Sequence, residues 1–152
     1  MVWSTLAVSG GEQPQVTFYD GQVRVVMKVT VSGQQKLRIY QSNDGGYAWD
    51  QIADDYLPSG SPPPAIFHLY AYSDRYGTHI VWDDTETDYD YNKEVYYVRF
   101  NDLVLGGPFL NFRNITELSS PSQGAGPKVA VVGNKACVAF ASRNARSSAG
   151  AP

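Results

Sequence analysis

The sequence predicts an all-β protein built from repeats of a four-stranded antiparallel unit. Short runs that alternate apolar and polar residues recur along the chain, separated by Gly, Pro, Asn and Asp. The 152 residues include 11 tyrosines and 3 tryptophans, which favour strands. No apolar run keeps the three-to-four spacing of a helix for three turns. These observations place the chain in the all-β class.

Three segments share one pattern of an aromatic residue, two polar residues and an aliphatic residue. They are Trp3–Leu6, Trp49–Ile52 and Phe112–Ile115, and each is followed by a proline (Pro14, Pro64, Pro127) and a β run. A period of about 40–50 residues is typical of a four-stranded repeat unit, and the spacing from Trp3 to Trp49 fits it. The second spacing is longer and predicts longer loops.

Turn signals divide each unit into strands. The pair Asp20-Gly21 lies between two apolar runs, which indicates a hairpin. The third unit copies it around Gly133-Asn134, and the second turns at Ser73–Gly77. The predicted strands are Val16–Tyr19, Val23–Val29, Lys36–Gln41, Ile66–Tyr72, His79–Trp82, Glu94–Arg99, Val129–Val132 and Ala136–Phe140, with a fourth strand at Trp49 and at Phe112.

The turn before Trp49 carries the most specific motif, Ser42-Asn43-Asp44-Gly45-Gly46-Tyr47-Ala48-Trp49. Asp44 can accept hydrogen bonds from the backbone N–H groups that follow it, and the glycines allow positive φ. Trp49 then re-enters the sheet as a large apolar plug. A plain Asp-Gly hairpin is the alternative interpretation of these residues.

The pattern Ser42, Asp44, Gly46 and Trp49 resembles the Asp-box, or bacterial neuraminidase repeat, of sialidase-like β-propellers. The resemblance implies a structural role for these residues, because in that family the turn lies opposite the ligand face. Asn101-Asp102 aligns with Asn43-Asp44 but lacks the glycines, so a second box is degenerate. A sandwich or a meander is the alternative all-β architecture.

The predicted architecture is a propeller-like arrangement of four-stranded blades that forms an incomplete ring within one chain. We expect one β domain over 1–141, with an outer strand of a split blade at 1–9, an Asp-box blade at 14–52, a second blade at 64–118, the inner strands of the split blade at 127–141, and a disordered tail at 142–152. Because propellers close with about four to eight blades, either partner chains complete the ring or this chain is a fragment of a longer protein. The expected partner is a second copy, in a dimer that completes the ring.

The resemblance places two long loops on the ligand face, and both mix carboxylates with tyrosines. Carboxylates accept hydrogen bonds from sugar hydroxyls, and tyrosine rings stack on sugars. The candidate ligand residues are Asp83, Asp84, Glu86, Asp88, Tyr89, Asp90, Tyr91, Asp55 and Tyr56. The predicted function is therefore a non-catalytic binding module, with carbohydrate as the candidate ligand. A merely solvated acidic loop and an irregular calcium site are the alternatives, since the EF-hand pattern fails at Tyr89 and Val95.

Two other functions stay open: a scaffold for protein interaction, and a remnant of a glycoside hydrolase. The second is disfavoured because the Phe/Tyr-Arg-Ile-Pro segment of sialidases is missing, and Arg24, Arg38 and Arg99 lie within strand patterns. No catalytic residue, metal or cofactor is predicted. His68 and His79 lack a second ligand at zinc spacing.

Composition bounds the remaining partners. The net charge of −3 disfavours binding to nucleic acid, and no apolar run is long enough to span a membrane. No signal peptide is recognisable, so a cytoplasmic location is the default expectation. The lone Cys137 lies in an apolar run and is predicted to be a buried small residue.

Overall fold

The computed structural model describes residues 6–60, 63–84, 94–101, 109–116 and 124–142, and within these ranges it contains ten β-strands and no helix. The strands are β1 (Gly11–Tyr19), β2 (Gln22–Val31), β3 (Gln34–Ser42), β4 (Asp50–Gln51), β5 (Phe67–Asp74), β6 (Gly77–Asp83), β7 (Val95–Phe100), β8 (Phe109–Asn114), β9 (Gly124–Val132) and β10 (Lys135–Ser142). The all-β prediction is confirmed.

The strands form three antiparallel sheets in the order of the chain. The first sheet is β1-β2-β3-β4, the second is β5-β6-β7-β8, and the third is the hairpin β9-β10. Every neighbouring pair in a sheet is also consecutive in sequence, so each described sheet is a simple antiparallel meander or hairpin. The described sheets do not close into a ring.

The sheets pack face to face through apolar clusters. We call the side of a sheet that faces the preceding sheet its front face, and the side that faces the following sheet its back face. In the first sheet the front face is the side turned away from the second sheet, and in the third sheet the back face is the side turned away from the second. The back face of the first sheet buries Val26 and Leu37 against Ile80 and Trp82 on the front face of the second. The back face of the second sheet packs in turn against the third, where Val129 is buried.

The aromatic–aliphatic repeat occupies corresponding faces of the first two sheets. Trp49 packs on the front face of the first sheet, and Phe112 packs on the front face of the second. Ile52 and Ile115, three residues later, pack on the back faces. Trp3 lies outside the described residues, so the third member of the repeat stays a prediction.

The first strand of every sheet carries the same bulge. In each, two residues oppose one residue of the partner strand, and the first of the two has positive φ: Gln13 (52°), His68 (45°) and Gly126 (59°). Each lies seven residues before the first residue of the following hairpin turn (Asp20, Arg75 and Gly133). Since a bulge bends its strand and strengthens the local twist, the shared position shows that the three hairpins repeat one backbone design.

The bulges also connect successive sheets. The side-chain oxygen of Gln13 accepts a hydrogen bond of 3.0 Å from the backbone N–H of Leu69, in the bulge of β5. Asp83 in the second sheet accepts one of 3.0 Å from the backbone N–H of Gly126, in the bulge of β9. The first strands β1, β5 and β9 accordingly lie side by side.

A buried polar cluster joins the first two sheets at the opposite end of these strands. The hydroxyls of Thr17 and Ser73 lie 2.6 Å apart, and Ser73 lies 2.9 Å from the hydroxyl of Thr78. Arg24 donates to Thr78 at 3.1 Å and to Gln41 at 2.8 Å. Because these groups are buried and satisfied, they fix one arrangement of the two sheets.

Candidate functional site

The Ser42–Trp49 turn is built around two side chains that accept backbone hydrogen bonds. Asp44 Oδ1 accepts from the N–H groups of Tyr47 (2.9 Å) and Ala48 (3.0 Å). The Ser42 hydroxyl accepts from the N–H of Gly46 at 2.7 Å and donates to Asp44 at 2.7 Å. These hydrogen bonds, that from Ala48 above all, lower the pKa of Asp44. Asp44 therefore caps the turn, as the sequence predicts.

Trp49 leaves this turn and lines an apolar groove on the front face of the first sheet. The groove has a volume of about 430 Å³. Its floor includes Val25 and Met27 of β2, and Leu6 and Val8 from the predicted outer strand at 1–9 line it from the side. The indole N–H of Trp49 is buried without a hydrogen-bond partner among the described residues. The groove thus combines an apolar floor with the buried Trp49 ring.

Two candidate ligand residues, Asp55 and Tyr56, are engaged by the first and second sheets. Both carboxylate oxygens of Asp55 accept hydrogen bonds from the guanidinium of Arg38, each at 2.6 Å. This pairing lowers the pKa of Asp55. The ring of Tyr56 stacks on Phe109 with 4.3 Å between centroids, and burial raises its pKa. Both side chains therefore hold the Asp54–Leu57 segment against the sheets.

Asp83 is also an internal residue. Its side chain is fully buried, and both carboxylate oxygens lie 2.9 Å from Nδ1 of His68. Together with the bond from Gly126, this contact makes Asp83 a link between the second and third sheets. The half-exposed imidazole of His68 covers the carboxylate at the bulge of β5.

Asp84 fixes the base of the acidic loop. Its carboxylate accepts a 2.9 Å hydrogen bond from the backbone N–H of Glu94, whose carbonyl accepts from the N–H of Asp84 at 3.2 Å. Burial raises the pKa of Asp84. The remaining candidate ligand residues lie outside the described residues: Glu86, Asp88, Tyr89, Asp90 and Tyr91. The degenerate box after Asn101 and the tail after Ser142 lie outside them as well.

The arginines have structural positions. Arg24 is only 7% exposed and stands in the polar cluster between the first two sheets. Arg38 is paired with Asp55, and the backbone of Arg99 pairs with His79 across β6 and β7. In the described residues these three side chains are not gathered around a common carboxylate-sized pocket.

The front face of the first sheet differs from the equivalent faces of the other two. Val16, Ala71 and Val129 all lie four residues before the first turn residue of their hairpins. Ala71 is 6% exposed and Val129 is 3% exposed, because a preceding sheet covers each of them, whereas Val16 is 68% exposed. Phe18 on the same face is 67% exposed.

The back face of the third sheet is open too, and it corrects one prediction. Cys137 is exposed rather than buried, since no described residue covers this side of β10. Its neighbours on that face, Ala130 and Ala139, are exposed as well, and Val132 is 72% exposed. The apolar pattern of a strand does not tell which of its faces is covered, so the sequence carried no signal for this exposure.

Comparison with known proteins gives no family. No protein-family model matches the chain, and no curated protein matches it. Among the described residues, no helix is both long enough and apolar enough to cross a membrane. The residues themselves therefore carry the functional argument.

Proposed function

We propose that this chain is a non-catalytic binding module of the sialidase-like propeller type, and that it acts as a protein-assembly scaffold. Its front face, on which Val16 and Phe18 of β1 are exposed, docks onto a β-sheet of another protein chain. The Asp-box-like turn and the repeated, face-packed sheets support the propeller interpretation.

One observation carries the proposal: Val16 is 68% exposed where the equivalent Ala71 and Val129 are buried. In the second and third sheets, the residue at this position is thus buried by the preceding sheet. Large contiguous apolar patches are uncommon on proteins that act alone and mark interaction surfaces. The first sheet therefore has the surface of a docked blade without the described neighbour that docks on it.

The binding residues predicted from the loops favour the same conclusion. Asp55 and Asp83 use their carboxylate oxygens within the fold, with Arg38 and with His68 and Gly126 respectively. A carboxylate that accepts such bonds offers few acceptor positions to a ligand. Val16 and Phe18 on the front face are exposed instead.

The test is association of the purified protein, measured by sedimentation velocity over a wide range of concentration. We expect the wild-type chain to associate, and the variant Val16→Ser/Phe18→Ser to remain a monomer, because it removes two exposed apolar side chains from the front face. Tyr47→Ser is the matched control, since Tyr47 is 68% exposed but lies in the turn. Association that is equal in all three proteins would overturn the proposal.

Carbohydrate binding by the acidic loop is a second candidate function. The observation that favours it is the closed base at Asp84 and Glu94, which fixes where the loop leaves the second sheet. A glycan array tests it with the wild-type chain and with Asp88→Ala/Tyr89→Ala. Binding by the wild type that is lost in the variant is the expected result, and an array without any wild-type signal would end this candidate.

A further inference from the structure

We infer that the occupant of the front face is the back face of the third sheet of a second copy of this chain, packed head to tail. This inference rests on the proposed function, because it names the partner of the same face. It is carried by the interface that the chain already contains between its first and second sheets.

That internal interface supplies the template. Thr17 on the back face of the first sheet meets Ser73 on the front face of the second, with 2.6 Å between their hydroxyl oxygens. By position in their hairpins, Thr17 corresponds to Ala130 of the third sheet, and Ser73 corresponds to Phe18 of the first. The template therefore pairs Phe18 of one copy with Ala130 of the next.

Side-chain size supports this pairing. At the hairpin end of the first strands, the front face of the internal interface carries the small side chains Ala71 and Ser73, and the back face supplies the larger Thr17 and Arg24. On the open front face of the first sheet the corresponding side chains, Val16 and Phe18, are large instead of small.

The back face of the third sheet has the matching small residues. Ala130 stands where Thr17 stands, and Cys137 stands where Arg24 stands. Because well-packed interfaces conserve total volume, the large Val16 and Phe18 suit the small Ala130 and Cys137 at this end of the strands. Two front faces would instead oppose their large residues.

The lone Cys137 allows a test with the chain as it is. Cys137 is exposed in the described structure, and head-to-tail packing covers it. We expect the rate of its reaction with a small disulfide reagent to fall as the protein concentration rises. The same rate stays constant in Val16→Ser/Phe18→Ser. A wild-type rate that is independent of concentration in an associating protein would overturn the inference.

Disulfide trapping tests which faces of the two copies meet. In a Cys137→Ser background, oxidation of Phe18→Cys/Ala130→Cys is expected to give covalent multimers on a non-reducing gel. Thr17→Cys/Ser73→Cys is the positive control, because the template predicts a bond within one chain. Tyr47→Cys/Ala130→Cys is the negative control.

The two hypotheses fail in different ways. If the single variant Phe18→Cys forms covalent dimers as readily as Phe18→Cys/Ala130→Cys forms multimers, the copies meet front to front. That result overturns the inference and leaves the proposed function standing. If the positive control closes and no covalent multimer forms with Phe18→Cys/Ala130→Cys, the head-to-tail pairing is wrong. If the wild-type chain does not associate at all, the proposed function fails first.

Discussion

Thr17 and Ser73 join two successive sheets through a buried hydrogen bond of 2.6 Å between their hydroxyl oxygens. The bond belongs to the cluster with Thr78 and Arg24, so it helps to set how the first sheet lies on the second. The contact is long-range in sequence and short in space, which makes it a sensitive reporter of sheet packing.

The first prediction is that Thr17→Val lowers the free energy of unfolding by about 1 kcal/mol, the net value of a typical buried hydrogen bond. Valine keeps the shape of threonine and removes the hydroxyl. Urea unfolding measures the change, and Thr30→Val, on an exposed position of β2, is the control. Combination with Ser73→Ala should cost less than the sum of the two single changes, because both remove the same contact. Additive losses would show that the two hydroxyls do not interact.

The turn gives a second prediction. Asp44→Ala should lower the melting temperature more than Asp44→Asn, because asparagine retains one oxygen that can accept from Tyr47 and Ala48. Folding lowers the pKa of Asp44, so the ionised carboxylate stabilises the folded state above its unfolded pKa of about 3.9. That contribution is lost as the pH falls through the lower, folded pKa. Equal melting temperatures for the two variants at neutral pH would contradict the capping role.

Gly77 and Gly45 provide a third prediction, since both have positive φ but differ in their surroundings. A Cβ added to Gly77 (φ 128°) would lie 2.1 Å from the carbonyl oxygen of Phe100, whereas one added to Gly45 (φ 77°) would meet no atom within 4 Å. Gly45→Ala should therefore lower the free energy of unfolding only by the strain of a left-handed backbone, about 1–2 kcal/mol. Gly77→Ala should cost clearly more, because the backbone of β7 must move. Thermal unfolding of the two variants side by side checks the order, and the reverse order would contradict the backbone geometry of β6.

The buried His79 gives a fourth prediction. Its Nδ1 lies 2.8 Å from the Tyr97 hydroxyl and its Nε2 lies 3.2 Å from Asp74, with Arg99 nearby. Burial lowers the pKa of His79, and this outweighs the opposing effect of Asp74. Below the pKa of about 6.5 that His79 has in the unfolded chain, the imidazole is therefore protonated more readily in the unfolded chain than in the folded one. Stability should fall from that pH towards the lower, folded pKa.

His79→Gln removes this titration while keeping a polar side chain in place. The free energies of unfolding of the wild type and the variant should converge as the pH falls from neutral to acid. Chemical unfolding at a series of pH values measures the difference between the two proteins. Parallel curves would mean that His79 does not titrate differently on folding.

The sequence predicted the strands well because turn chemistry and period-two alternation are local signals. Asp20-Gly21 and Gly133-Asn134 mark their hairpins, and the Asp44 cap follows from side-chain reach. The bulge at Gln13 and His68 was not predicted, because neither residue type requires positive φ. The nearby Gln13-Pro14 and Gly126-Pro127 pairs were the available clue.

The candidate ligand residues show where local reasoning stops. Asp55 and Asp83 read as free surface carboxylates, but each meets a cation or imidazole that is distant in sequence, Arg38 and His68 respectively. Cys137 was predicted to be buried for the converse reason, since the sequence shows that a strand is apolar but not whether another sheet covers it. Such pairings depend on how sheets stack, which no single segment encodes.

The covering of the front face can be measured directly by hydroxyl-radical footprinting of Phe18 and Tyr47. The two side chains are almost equally exposed, at 67% and 68%, and both are reactive aromatics. If the front face docks onto another sheet, oxidation of Phe18 slows as the protein concentration rises while oxidation of Tyr47 does not. An oxidation rate of Phe18 that stays as constant with concentration as that of Tyr47 would contradict docking of the front face.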